Sequence, residues 1–358
     1  MALQITGTVQ KQAWVDKTFP PIEQVRPLVW SVPISMHPSP VRYTLSYLVL
    51  NEIGECVVVD PGLDSDAGWE QLLDGLARAG SSLEAVVGIV ATHLHADHLG
   101  MVSRLADITG AWIGMHRNED DALEQRLFSS DPRAIDRAWL VRCGVPADVL
   151  DSLLPPPEET EYFAQLARPT QFLEHDAYLP LAGRRIRVVE TPGHTQGHIC
   201  LADEDSEVIL TGDHILPRIS PHVGLGARSG HWNALAAYYE SLVLMHDWDA
   251  FEVCPAHEYR FHGLRNRAIA LQIHHNVRAQ EIIEIVTTLS ALSLWEIAER
   301  LTWSRGWESL DGLNLRSALS ETVAHVEHLS AQGTIVWGAP EQLAGSPWIA
   351  RLGADVTS

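Results

Sequence analysis

Lysine is almost missing from this chain: in 358 residues it occurs only at Lys11 and Lys17. Any anion gripped deeper in the sequence must be gripped by arginine, whose planar fork suits a phosphate or a carboxylate. Positive charge is scarce overall, with 25 Lys+Arg against 46 Asp+Glu and a formal net charge of -21. Such a chain repels a phosphate backbone, so generic nucleic-acid binding is disfavoured. Cysteine is scarce as well. Cys56, Cys143, Cys200 and Cys254 lie far apart with no CxxC pair, which argues against a disulfide framework and a thiolate zinc site and leaves them as small buried fillers. No stretch approaches the roughly 18 apolar residues of a membrane span, and the opening "MALQITGTVQKQAWVDKTF" lacks a continuous apolar core. A cytoplasmic protein without a membrane partner is therefore expected.

What is present is enough hydrophobic residue, 46% of the chain, to bury a main domain and an accessory one. Residues 1–30 read as an extension wrapped over the main domain. Strand-like runs follow at "LVWSVPIS", "YTLSYLVLN" and "ECVVVDPG", then a helix near Gly68 to Ala79 and the buried strand "AVVGIVATH". A helix is expected from about Asp97 to the stop near Gly110, with the strand "AWIGMH" after it. Residues 117–167 turn helical and read as an insertion. Strands resume at "RIRVVETPGH", "HICLADED", "EVILTGDH" and "AFEVCPAH", the last two separated by a Gly/Pro-containing loop and the helix "NALAAYYESLVLM". Alternating strand and helix point to an α/β layer protein. Residues 264–358 read as a separate accessory domain of helices with a β-wing.

The stretch "ATHLHADHLG" puts His93, His95, Asp97 and His98 within six residues at the end of a buried strand. His93 and His95 alternate as on an extended segment and can face one side, while Asp97 and His98 stand where the chain turns into a helix. Three further positions come just after strands: His194 in "VVETPGHTQGH", Asp213 in "VILTGDHI" and His257 in "FEVCPAHEY". Strand ends on one edge of a sheet converge, so the seven can share a pocket. Seven donors suit two zinc ions when one carboxylate bridges them, and imidazole and carboxylate do not exclude iron or manganese. Any single one of the 18 histidines is more often a surface or core residue than a ligand; the set as spaced reverses that.

In these motifs, HxHxDH, PGHTxGH, TGD and PAHE in that order, the sequence closely resembles the metallo-β-lactamase-fold hydrolases, and within them the glyoxalase II-like and lactonase-like branch. The resemblance runs from Asp60 in "VVDPG" to His257. It implies an αββα sandwich with the metals at one edge. His93, His95 and His194 would hold the first metal, Asp97, His98 and His257 the second, and Asp213 would bridge. Asp60 would sit behind the ligands, accepting a hydrogen bond from an imidazole and setting its tautomer. His198 is expected to support its loop rather than touch metal. A glutamate in place of the second histidine, as in the flavodiiron oxygen reducers of this fold, is absent, and so is the acyl-homoserine lactonase tyrosine, since Leu216 stands there. Tyr259 matches the tyrosine of the glyoxalase II "HEY" segment and would donate to a developing oxyanion.

The expected reaction is hydrolysis of an ester-like carbonyl, a thioester or lactone in a small-molecule acyl substrate of some size, by hydroxide made available between the two cations. Asp97 is ligand and orienter first and a proton shuttle second. The loop "DHILPRISPHVGL" places His214, Arg218 and His222 beyond the bridging position, as a proline-braced loop or as a polar pocket wall in which Arg218 meets a substrate carboxylate or phosphate. Trp139, Leu140, Val145, Leu153 and Leu154 of the insertion would either wall an acyl cleft or pack the insertion down. His274, His275 and Arg278 in "HHNVRAQEI" read as a docking face. The C-terminal segment resembles the winged-helix-like module found behind some of these hydrolases; with more acids than arginines and no lysine, it is expected to pack, to form a homodimer or to roof the active site rather than to bind DNA. The competing readings are a β-lactamase-like amide hydrolase, a nuclease of the same fold and a metal-dependent winged-helix regulator.

Overall fold

A computed structural model describes residues 3–37, 39, 41–127, 131–156, 166–230, 232–338 and 347–353. The chain forms two compact units, each assembled from separate stretches: Met1–Glu124, Ala164–Pro221 and Ser241–Ile269 in the first, Gln125–Phe163, His222–Glu240 and Ala270–Ser358 in the second.

The first unit is built on two sheets. The seven-stranded one follows chain order, β2 (Glu23–Arg26), β3 (Val29–Ser35), β4 (Tyr43–Leu50), β5 (Cys56–Val59), β6 (Val86–Val90), β7 (Trp112–Met115) and β8 (Gln171–Phe172). The six-stranded one runs β1 (Gln4–Ile5), β13 (Phe261–His262), β12 (Glu252–Pro255), β11 (Val208–Gly212), β10 (Ile199–Asp203) and β9 (Ile186–Glu190). Strand β4 is buried at all eight positions, as a strand packed on both faces must be. Tyr43, Leu45, Tyr47 and Val49 of β4 and Val57 and Val59 of β5 meet Val188, Ile199, Leu201, Val208 and Leu210 of the other sheet in one apolar core. The hydroxyls of Tyr43 and Tyr47 cross this core to donate to the carbonyls of Glu258 (3.0 Å) and Pro255 (2.8 Å). Helix α2 (Asp66–Arg78) starts where Ser65 accepts the Gly68 amide and buries Leu72 and Leu76.

Two expectations need correcting here. The first thirty residues are more than a wrapping: β1 pairs with β13 and β2 with β3, so they supply an edge strand to each sheet, with helix α1 (Thr8–Asp16) between. The helix expected from Asp97 to Gly110 is two, α3 (Ala96–Leu99) and α4 (Val102–Thr109). The Met101 amide donates to the Gly62 carbonyl at 3.0 Å instead of continuing the ladder, which frees His98 and Asp97 to sit on a short turn of their own.

The second unit takes the end of α5 (Arg117–Leu127), α6 (Pro132–Arg142), parts of α7 (Ala234–Leu244) and α8 (Leu264–Leu289), and then β14 (Leu292–Ser293), α9 (Leu294–Arg300), α10 (Gly312–Ala331), β15 (Ile335–Gly338) and β16 (Ile349–Leu352). Its strands make an antiparallel sheet in the order β14-β16-β15. The division thus departs from the expected boundary before residue 264, because residues 125–163 and 222–240 cluster with the C-terminal helices. Buried Asp136 of α6 shows why: Arg228 (3.2 Å) and Arg316 of α10 (2.6 Å) both pair with it. Trp139, Leu140, Val145, Leu153 and Leu154 are all buried, and Arg316 also donates to the Leu153 carbonyl. Among the two readings of these side chains, the structure shows packing of the insertion.

Candidate metal centre

Four strand ends deliver the seven expected donors to one place. His93, His95, Asp97 and His98 follow β6; His194, Asp213 and His257 follow β9, β11 and β12. Strands β6, β11 and β12 end buried and β9 ends at half-buried Glu190; the turn beyond each carries the polar side chain. Two groups result, His93, His95, His194 and Asp213 in one, Asp97, His98 and His257 in the other. In the first, His93 Nε2 lies 2.9 Å from His95 Nδ1, and His194 Nε2 lies 3.2 and 3.0 Å from those two atoms. Asp213 stands between the groups: Oδ2 is 3.6 Å from both His194 Nε2 and His98 Nε2, and Oδ1 is 3.2 Å from His257 Nε2. Asp97 Oδ2 lies 3.3 Å from His257 Nε2 and 3.5 Å from His98 Nε2.

The surroundings dictate which nitrogen each imidazole presents. Asp60 accepts from the Thr92 amide (2.7 Å), the Thr92 hydroxyl (2.9 Å) and His98 Nδ1 (2.9 Å). Its backbone is left-handed, φ 50°, which aspartate tolerates better than most residues. Since the Thr92 hydroxyl proton goes to Asp60, its oxygen accepts from His93 Nδ1 at 3.1 Å. His257 Nδ1 donates to the Tyr43 carbonyl at 2.9 Å. Thus His93, His98 and His257 all turn a bare Nε2 inward. His198, fully buried, touches no ligand side chain through a hydrogen bond: its Nε2 accepts the Asp213 amide (3.2 Å) and its Nδ1 faces the Thr191 hydroxyl (2.8 Å). Gly212 precedes Asp213 in left-handed conformation, φ 48°, and a Cβ there would stand 2.7 Å from both His198 Nε2 and Thr92 Oγ1.

This arrangement calls for cations. Three imidazole nitrogens converge at spacings near the roughly 3.3 Å that tetrahedral bonds of about 2.0–2.1 Å impose. His98 Nε2 and Asp213 Oδ1 are buried without a hydrogen-bond partner among the described residues. Burial and the neighbouring imidazoles push His93 well below the ordinary histidine range, as befits a neutral ligand. Against burial, Asp97, Asp60 and Asp213 raise His98 well above it, and Asp213 and Asp97 raise His257 to about 10. The carboxylate-rich half therefore demands positive charge, which protons supply when metal does not.

The sequence matches the family model described as "Metallo-beta-lactamase superfamily" over residues 39–257. The chain belongs to the metallo-β-lactamase superfamily. It is a metal-dependent hydrolase of α/β fold. Among its relatives, the acyl-coenzyme A thioesterase MBLAC2 of Bos taurus is 27% identical over 266 residues, 70% of this chain and 84% of that protein. The hydroxyacylglutathione hydrolase GloC of Haemophilus influenzae is 26% identical over 166 residues, 46% of this chain and 64% of that one. A crystal structure of a metallo-beta-lactamase family protein from Thermus thermophilus superposes with a TM-score of 0.75 at 26% identity, covering 92% of this chain and all of that one.

Around the superfamily's donor set the structure distributes the remaining expected residues unevenly. His214 is buried, 5.9 Å from the His198 ring, and burial pushes it down to about 3. Arg218 is exposed and held by Glu258, whose carboxylate accepts its Nε (3.2 Å), its amide (2.8 Å) and the Ile219 amide (3.1 Å). Tyr259 is nearly buried; the charges that act on its hydroxyl are Glu258, Arg218 and Arg267 rather than any metal ligand. His222 falls in the second unit, 3.2 Å from the Ser317 carbonyl.

Three residues went unseen in the sequence. Glu119, in the first turn of α5, is fully buried and accepts the amides of Leu94 (2.8 Å) and Gly197 (2.6 Å), tying the loop of His93 and His95 to the loop of His194. Glu258 and Arg267 brace the loop after Asp213, Arg267 by donating to the carbonyls of Leu216, Arg218 and Ile219. Glu258 sits inside "HEY" and carried a local signal. Glu119 is one of 46 acids, and only Gly197, where a Cβ would lie 2.9 Å from its backbone, hinted at a close neighbour.

Proposed function

We propose that the protein is a dinuclear zinc hydrolase of acyl thioesters, working in the cytoplasm on a small-molecule substrate. The observation that carries this reading is Asp213, with one oxygen toward His194 and His98 and the other toward His257. His93, His95 and His194 would hold one cation, Asp97, His98 and His257 the other, and Asp213 both; iron or manganese would fit the same donors. When bound, such a pair lowers the pKa of a shared water from about 15.7 towards roughly 7 and polarises a carbonyl.

The chain's own residues favour a particular leaving group. Burial opposes ionisation of Asp97, but His98 and His257 overcome it and hold the carboxyl well below the usual range. Asp97 is then an acceptor that orients water, and a weak proton donor. A thiolate, with a conjugate acid near pKa ~8.5, departs without being protonated, whereas an amide nitrogen does not. The thioester reading is thus preferred to a β-lactam one, with a lactone second. It agrees with relatives named for acyl-coenzyme A and hydroxyacylglutathione. Arg218 and Tyr259 stay as substrate contacts at the mouth, Arg218 through the guanidinium edge that Glu258 leaves open. The cytoplasmic reading is supported by four free, buried cysteines, and no helix among the described residues is long and apolar enough to cross a membrane. The order α8, β14, α9, α10, β15, β16 supports a winged-helix-like second unit, for which self-association into a homodimer suits its acidic balance better than DNA.

The test is a substrate panel. Purified protein should hydrolyse acyl thioesters or lactones, fall silent with chelator, and leave RNA and bis-p-nitrophenyl phosphate untouched. Phosphodiester turnover above that on every thioester, lactone and β-lactam tried would overturn the reading.

A further inference from the structure

The second unit holds another convergence of metal-binding side chains. His274 and His275 of α8 and Glu321 of α10 bring one donor atom each within 4.8 Å of one another. His275 is completely buried, and so is His325, one turn beyond Glu321 on α10.

The hydrogen bonds settle the protonation of both imidazoles. His325 Nδ1 lies 2.8 Å from the Glu321 carbonyl, an acceptor only, so the proton is on Nδ1 and Nε2 is bare. That bare Nε2 is 3.2 Å from His275 Nδ1, which must then carry a proton and donate. His275 is left with a lone pair on Nε2, buried and without a hydrogen-bond partner among the described residues. An orphaned buried acceptor is destabilising, and a structure retains one where something else satisfies it. An oxygen of the Glu321 carboxylate and a ring nitrogen of His275 belong to the same 4.8 Å group, and no described residue offers that bare Nε2 a hydrogen bond, the two conditions that a bound cation would resolve together. A ligating histidine characteristically donates its other ring proton to a fixed acceptor, and His325 is that acceptor for His275.

We propose that His274, His275 and Glu321 form a third metal site, separate from the centre of the first unit, that takes a divalent transition metal such as zinc and cross-links α8 to α10. Two imidazoles and one carboxylate are a sufficient protein set, and water completes the coordination because neither His274 nor Glu321 is fully buried. The nearby cation, Arg278, is neutralised by Glu281 at 2.9 Å and stacked on Trp303 at 4.7 Å. This inference does not depend on the hydrolytic reading.

The experiment counts zinc in the full-length protein by elemental analysis and by titration of chelator-stripped protein with zinc chloride against a chromogenic chelator. Wild type should bind three equivalents. Asp213→Ala/His257→Ala should keep one, and adding Glu321→Gln, nearly isosteric, should abolish it. Glu321→Gln or His274→Asn alone should bind two and retain thioester hydrolysis. His325→Gln should weaken the third site by about 10–100-fold. Metal-free thermal unfolding of each variant checks that it folds; for any that does not, the remaining variants decide. Two equivalents in wild type, or a third that survives both Glu321→Gln and His274→Asn, would overturn the proposal. Loss of the first two equivalents with the third intact would instead count against the dinuclear centre alone.

Discussion

Asp60 reaches an imidazole in each donor group, His98 directly and His93 through the Thr92 hydroxyl. All its partners are donors, so Asp60→Asn turns an amide NH2 against one of them. We expect metal affinity to fall about 10–100-fold, less than in Asp213→Ala, which removes a donor from both groups and should abolish activity. Metal content and kcat/KM of the two variants check this order; a worse Asp60→Asn would refute the bridging role. Glu119 is bound by similar logic, since both its oxygens accept backbone amides. Glu119→Gln should cost about 1.5–3 kcal/mol through one lost charge-assisted bond, read by thermal unfolding, together with weaker zinc binding because two ligand loops lose their tie. Unchanged zinc affinity would make Glu119 a purely structural residue.

At the scale of elements, the strand ends matter more than the strands. Strand β11 stops in a left-handed glycine directly before Asp213, the carboxylate proposed as the bridge. Gly212→Ala costs about 1–2 kcal/mol for the backbone alone, and its methyl group meets two hydrogen-bonding hubs, so Asp213 must shift. The variant should fold and be poor in metal, as circular dichroism and elemental analysis would show; full metal occupancy would contradict the crowding argument. In the second unit, α9 opens on a capping box in which Ser293 accepts the Glu296 amide and Glu296 accepts the Ser293 amide. Ser293→Ala should lower stability by about 1 kcal/mol in denaturant unfolding, with the hydrolytic centre unaffected. The capping box is a local pattern, carried on the four residues "SLWE". The break between α3 and α4 is not, because it depends on the Gly62 carbonyl, which capture of the Met101 amide brings in from another turn.

For the molecule as a whole, the seven converging side chains couple folding of the first unit to metal. Ligand bound only to the folded state adds RT ln(1 + [L]/Kd), about 4.1 kcal/mol at a thousandfold excess over Kd. Chelator should therefore lower the unfolding temperature as it abolishes hydrolysis, and zinc should restore both. Hydrolysis that persists with no bound metal would defeat the assignment of the centre.

The sequence by itself determined the fold family and the donor set. A strand running into a turn that carries a polar side chain is a local pattern, and HxHxDH, PGHTQGH, TGD and PAHEY repeat it in an order that one topology explains. Tertiary structure decided what supports and surrounds those donors. Glu119 meets Gly197 across 78 positions and His257 meets Tyr43 across 214; no periodicity records such a pair. The same holds for the insertion, whose buried Asp136 is paired with Arg316 of α10, and for His275, a docking residue by its sequence and a buried lone pair by its neighbours. Chemistry carried on consecutive residues is legible in one dimension, whereas a buried hydrogen bond exists only once distant segments have folded together.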